Sequence, residues 1–284
     1  MAPTFFGSAL TNFGVDLFLD AMLELAPPPQ AGSTAAGPVE PEDDRFSGFV
    51  FKIQANMNPA HRDRIAFVRV MSGRYEPGMQ VTLEPRGKPI RLAEPRQFMA
   101  REASSVEEAF PGDVVGLFDP GTYRIGDTLT VDPAIVYAGI PLFPAEHFAI
   151  PRLPDSSFRK SFQKGIVQLA EEGAIQVFRH PERGDRDPIV GAVGRLQFDV
   201  LAHRLQSEYG VPVRIEPAPF VAARWVYGDE VAVRDLGEGV GWTLVLDRDD
   251  RPVLLIKNAY WIDELPGRYP KLRFAEIAEP MPVT

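Results

Sequence analysis

No helical run of ten residues fits between Phe46 and Asp132. Turn signals break this stretch at short intervals: Gly73, Pro77-Gly78, Gly87, Pro111-Gly112, Pro120-Gly121 and Gly126-Asp127. Between them lie apolar runs with a period of two. In the first, Phe49, Phe51 and Ile53 alternate with Val50, Lys52 and Gln54. In the next, Ile65, Phe67 and Arg69 share one face, and Ala66, Val68 and Val70 the other. Many short strands separated by turns favour closure, because closure removes unpaired sheet edges. We therefore expect an all-β barrel over residues 46–132.

The rest of the chain reads differently. Residues 133–154 carry Pro133, Pro141, Pro144, Pro151 and Pro154 and are expected to be a connector. Residues 155–284 alternate helix and strand patterns, which predicts an α+β domain with one sheet. Asp155 or Ser156 can cap a helix carrying Phe158, Phe162, Ile166 and Leu169. A second helix spans Arg195 to Tyr209, with Leu196, Val200, Leu201 and Leu205 expected inward and Gly210 as its stop. Strands are expected at 174–178, 189–193, 211–215 and 222–227, a hairpin at 242–256 and a short helix at 258–266.

At the other end, residues 1–29 read as a strand at Thr4 to Phe6, a turn, and a helix capped by Thr11 or Asn12. Val15, Phe18, Met22 and Leu25 recur at helical spacing before Pro27, Pro28 and Pro29. So short a piece buries too little to fold alone and needs a partner surface. Residues 30–45, small and acidic, are expected to be a flexible linker. The net charge of −9 is concentrated here: residues 1–44 carry seven acids and no Lys or Arg. The remainder is nearly balanced, with 24 Arg to 6 Lys overall. There is no cysteine, which excludes disulfides, thiolate nucleophiles and cysteine-based metal centres. No apolar run reaches the roughly 20 residues of a membrane span, so no membrane partner is expected.

Motifs for chemistry are missing. The sequence has no Gly-x-x-x-x-Gly-Lys-Ser/Thr loop, no Asn-Lys-x-Asp, no His-Glu-x-x-His and no Gly-x-Ser-x-Gly. His61, His147, His180 and His203 are scattered, and neither a metal site nor a catalytic residue is assigned. The carboxylate pairs Glu107-Glu108 and Glu171-Glu172 are sequence neighbours, whose side chains diverge on any regular element. What the residues offer is binding. Arg62, Arg64, Lys88 and Arg91 on the barrel, and Arg195 and Arg204 on the helix at 195–209, are candidate RNA phosphate contacts. A solvated basic surface is the plainer reading of the same residues.

Several long stretches resemble a known family. Phe46 to Met57, reading FSGFVFKIQANM, and His61 to Phe67, reading HRDRIAF, are similar to the second domain of bacterial peptide chain release factor three, a translational GTPase. QKGIVQLAEEGAIQVF at 163–178 and IVGAVGRLQFDVLAHRLQSEYG at 189–210 resemble its third domain. Phe5-Phe6-Gly7-Ser8-Ala9-Leu10 resembles the last strand and guanine-contacting loop of its GTPase domain.

The resemblance implies a multidomain fold. A C-terminal remnant of an α/β P-loop GTPase domain at 1–29 would precede a translation-factor-type barrel like domain 2 of elongation factor Tu at 46–132. An α+β domain at 155–284 would follow. It also implies a cytoplasmic, monomeric termination factor whose partners are the ribosome, through small-subunit RNA and proteins, and the class-one release factor complex. The intact factor would use GTP or GDP with Mg²⁺ and promote recycling of class-one release factors. Here Ser8, Ala9 and Leu10 alone match a nucleotide-contacting motif, so no cofactor and no GTPase activity are expected of this chain by itself. A stand-alone ribosome- or RNA-binding module is the alternative reading. An elongation-factor-G-like or ribosomal-protection-protein fragment ranks below both.

Overall fold

The computed structural model describes residues 3–55, 64–92, 96–99, 102–105, 107–140, 143–182, 184–237 and 239–279. Its first helix, α1, spans Val15–Leu25 and buries none of its residues. Neither Thr11 nor Asn12 caps it. The preceding residue is Gly14, at φ +68°, where a Cβ would lie 2.6 Å from the Phe6 carbonyl oxygen. Only glycine fits that close left-handed approach. The strand expected at Thr4 to Phe6 does not form; just after it, Ser8 and Phe13 make an antiparallel bridge.

The expected linker is instead a hairpin of β1 (Gly32–Thr34) and β2 (Gly37–Val39). Thr34 bridges Tyr137, and Ala138 N–H donates to the Ser33 carbonyl at 3.2 Å. Val39, Ile135 and Tyr137 form a small core with Phe49 and Met71. Small residues make this packing possible: a Cβ on Gly32 would fall 2.3 Å from the Tyr137 ring. The composition of 30–45 reads as flexible because its apolar partner lies far along the chain.

The barrel-like unit comprises β3 (Ser47–Ala55), β4 (Arg64–Ser72), β5 (Gln80–Glu84), β6 (Lys88–Arg91), β7 (Arg96–Met99), β8 (Glu102–Ser105), β9 (Val114–Phe118) and β10 (Thr128–Thr130). They form one antiparallel sheet in the order β6-β5-β10-β3-β4-β9-β7-β8. Ala66, Val68 and Val70 point into its core, as their alternation predicts. In β3 the simple alternation fails. A bulge between Val50 and Lys52 lets Val50 and Ile53, three apart, both reach the core, while Phe49 and Phe51 are half-buried.

The second unit has an eight-stranded antiparallel sheet. Its elements are β11 (His147–Arg152), α2 (Arg159–Glu171), β12 (Gln176–His180), β13 (Gly184–Ala192), α3 (Leu196–Tyr209), β14 (Arg214–Pro217), β15 (Ala222–Tyr227), α4 (Glu230–Arg234), β16 (Trp242–Leu246), β17 (Pro252–Ile256), α5 (Tyr260–Arg268) and β18 (Arg273–Ala275). The strand order is β14-β11-β13-β12-β16-β17-β15-β18. The proline-rich connector therefore contains a strand, β11, paired on both sides by β13 and β14. A single 3₁₀ turn, Ser156–Phe158, precedes α2 and is capped by Asp155, whose carboxylate accepts from Ser157 N–H at 2.6 Å.

Helix α2 buries Phe162, Ile166 and Leu169, as expected. On α3 the buried stripe is Phe198, Leu201 and Leu205. Leu196 and Val200, expected inward, are exposed, because the helix is rotated to face α2 through Leu205 and Tyr209. A Cβ on Gly165 of α2 would lie 2.7 Å from Leu205.

Candidate nucleic-acid interface and domain junction

Lys88 and Arg91 lie on β6, the terminal strand of the barrel sheet, and both are exposed. Arg91 Nε donates to the Gly78 carbonyl at 3.0 Å, which fixes its stem beside a turn. Arg195 is exposed at the N-terminal boundary of α3, next to Leu196. These three cations sit where solution anions can reach them. Arg62 lies outside the described residues.

Arg64 is buried, and Arg204, though half-buried, is committed to two carboxylates. Arg204 is held by Glu172 at 2.6 Å and Glu208 at 2.5 Å. Burial opposes its charge, but the hydrogen bonds to Glu208 and Glu172 outweigh that and hold its pKa above the ordinary arginine value. Arg64 is only 8% exposed. Its Nε lies 2.6 Å from Asp119 Oδ2, an ion contact whose N–H is not aligned for a hydrogen bond. Its Nη1 pairs with Glu171, and its Nη2 donates to the Tyr123 carbonyl at 3.2 Å. Burial again opposes the charge, and Glu171 with Asp119 more than compensates, leaving the pKa raised. A buried guanidinium with two carboxylates on it has no face left for RNA.

The pairing has a structural meaning. Asp119 belongs to the barrel, where its Oδ1 accepts backbone N–H groups from Gly121, Thr122 and Tyr123 at 2.8, 2.6 and 3.2 Å. Glu171 is the last residue of α2, in the second unit. Arg64 thus ties the two units at the negative end of the α2 dipole. Close by, Arg124 of the barrel pairs with Asp249 at 3.2 Å, and Arg248 Nη1 donates to the Ala170 carbonyl at 3.3 Å. Farther along the same loop, the Tyr123 pKa is pushed up to about 12 by burial and by the charges of Asp119 and Asp127. Burial also raises Asp127, against the opposing pull of Arg124 N–H and Arg86.

The sequence carried a signal for Arg64. It shares a strand face with Ala66, Val68 and Val70, so period-two alternation places it inward. Its acidic partners, Asp119 and Glu171, are distant in sequence and fixed only by the fold.

Ser8, Ala9 and Leu10 form a tight turn in which Ser8 N–H donates to the Phe13 carbonyl at 3.0 Å. Leu10 is 95% exposed. This sequence holds no Gly-x-x-x-x-Gly-Lys-Ser/Thr loop to accompany them. Among the described residues no group of His, Asp or Glu could hold a metal ion, and no helix is long and apolar enough to cross a membrane.

Two family models match the chain. Elongation factor G domain 2 matches residues 45–132, and class II release factor RF3, C-terminal domain, matches residues 137–265. Peptide chain release factor 3 of Symbiobacterium thermophilum is 50% identical over 279 residues, which is 98% of this chain and 53% of that protein. The proteins of the same name from Acaryochloris marina and Synechocystis sp. are each 48% identical, over 98% and 99% of this chain and 51% of theirs. The chain thus spans about half the length of the curated relatives it matches. A crystal structure of a Thermus thermophilus protein superposes with a TM-score of 0.56 at 21% identity, covering 82% of this chain and 34% of that one, which shows the shared fold. Two family models in register with the barrel and the α+β unit, and near-half identity along the whole chain, agree: the chain belongs to the peptide chain release factor 3 family.

Proposed function

We propose that this chain serves translation termination as the ribosome-docking portion of a factor of this family. In this reading the intact factor is a cytoplasmic, monomeric GTPase that promotes departure of class-one release factors. The observation that carries the reading is identity of 50% over 279 residues, running through the leading segment, the barrel and the α+β unit. The leading residues 1–29 are read as the edge of a GTPase domain, which accounts for an α1 that buries nothing.

Docking is assigned to Lys88, Arg91 and Arg195, the exposed cations, with small-subunit RNA as the partner. Charge reversal of all three (Lys88→Glu, Arg91→Glu, Arg195→Glu) is expected to reduce co-sedimentation with ribosomes. It should also lower the slope of log affinity against log salt by roughly one for each phosphate no longer neutralised. Pelleting that is unchanged from low to high salt removes the assignment. The chain alone is expected to bind no fluorescent GDP analogue, since backbone and Ser contacts cannot replace the P-loop amides, Lys and Mg²⁺ that hold the phosphates. Micromolar binding of that analogue overturns this.

A further inference from the structure

Beside the Arg64 junction lies a cavity of about 200 Å³ that the docking reading leaves unused. Its floor is apolar: Phe162, Ile166 and Val167 from α2, and Val177 from β12. Val167 is 55% exposed although it lies between buried residues on that helix. Arg124 of the barrel and Arg248 of the β16–β17 turn also line the cavity. Both are partly exposed: Arg124 donates to Asp249, while Arg248 donates to the Ala170 carbonyl and has its Nε 3.7 Å from Asp249, and each keeps further N–H groups for a ligand. Arg179 borders the cavity too, bound to Asp250 at 2.7 Å.

We propose that this cavity is a binding site for a small carboxylate bearing one ring-sized apolar group, held between the barrel and the α+β unit. Size sets the apolar part. Pockets for drug-sized ligands run to roughly 300–1,000 Å³, so this one takes a single ring or a branched aliphatic group. The planar guanidinium forks select a planar anion. The two acids that also line the cavity, Glu171 and Asp249, set its charge. Glu171 is engaged by Arg64, and Asp249 is shared by Arg124, Arg248 and Arg251, so two of the guanidinium groups lining the cavity face one carboxylate there, which favours a monoanion and disfavours a dianion. A ligand seated there touches Arg124 on one unit and α2 and Arg248 on the other, so it stabilises their joint.

The probe is 3-phenylpropionate, with neutral 3-phenylpropionamide as its control, titrated calorimetrically into the whole chain at low salt. The acid is expected to bind at least about tenfold more tightly than the amide, because only the acid brings a negative charge and two oxygens that can accept parallel N–H bonds from a guanidinium. Val167→Glu, at a half-exposed position that tolerates a polar residue, is expected to abolish binding with an unchanged melting curve. Arg248→Ala is expected to weaken it by about tenfold while leaving the apolar floor intact. Equal affinity for acid and amide, no binding of either, or wild-type affinity in Val167→Glu overturns the proposal. Ribosome co-sedimentation is expected to be the same in Val167→Glu as in the parent chain, which separates this site from the docking reading.

Discussion

Arg64→Met is expected to destabilise the protein by about 3–5 kcal/mol, the range for breaking a buried ion pair from one side. The cost comes from what is left behind. Asp119 has a fully buried side chain, and its Oδ2 has no hydrogen-bond donor to replace the guanidinium. Its Oδ1 is committed to three loop N–H groups. A second substitution tests this origin: Asp119→Asn in the Arg64→Met background is expected to recover part of the loss, because the orphaned charge is gone. Glu171 is partly open to solvent, 32% exposed, so Glu171→Gln is expected to cost far less, on the order of 1 kcal/mol. Urea titrations followed by far-UV circular dichroism measure all three. A loss below about 1 kcal/mol for Arg64→Met, against the one-sided cost of a buried pair, would show that the pair is solvated and the junction loose.

The second large effect is expected at Phe178. Its ring is 1% exposed and stands 6.1 Å from Phe148 and 6.3 Å from Trp225. These three belong to β12, β11 and β15, so the ring fills the core that joins the two halves of the second sheet. Backbone pairing across that joint is thin: β12 meets β16 at Arg179 and Leu246. Phe178→Ala is expected to cost about 3–5 kcal/mol, from forfeited transfer energy plus a cavity the backbone cannot close. Phe178→Leu keeps most of the volume and is expected to cost much less, about 1.5 kcal/mol or under. The near-UV signal of Trp225 should lose its structure in the alanine variant before the helices of the other half unfold. Simultaneous loss of both signals at the parent midpoint would place the joint elsewhere.

Local pattern was legible wherever a residue's partner is close in sequence. Phe162, Ile166 and Leu169 face the core because helical spacing stacks them on one stripe. Gly210 ends α3 at φ +67°, with its N–H donated to the Gln206 carbonyl and that of Val211 to the Leu205 carbonyl. The strand Ala222–Tyr227 and the hairpin partners Trp242–Leu246 and Pro252–Ile256 follow from alternation and the intervening turn. What failed shares one cause. Pro151 argued against a strand, yet β11 tolerates it opposite Ile215. Leu196 and Val200 fit a helical stripe equally well, but α2 packs on the neighbouring one. The small residues at 30–45 lacked apolar content until Tyr137 supplied it.

The candidate site divides the same way. Arginine abundance and strand position identified the cations, and alternation alone places Arg64 inward. The sequence by itself determined the order of units, the barrel's turn-punctuated character, the helical stripes and the lack of a phosphate-binding loop, because each depends on residue type and short-range spacing. Only the tertiary structure decided which carboxylates the arginines meet. Arg64 reaches Glu171 across 107 positions and Arg124 reaches Asp249 across 125. An exposed pair is worth little and a buried one is costly to break from one side, and the partner that completes it is brought by packing across the chain, which no local pattern records.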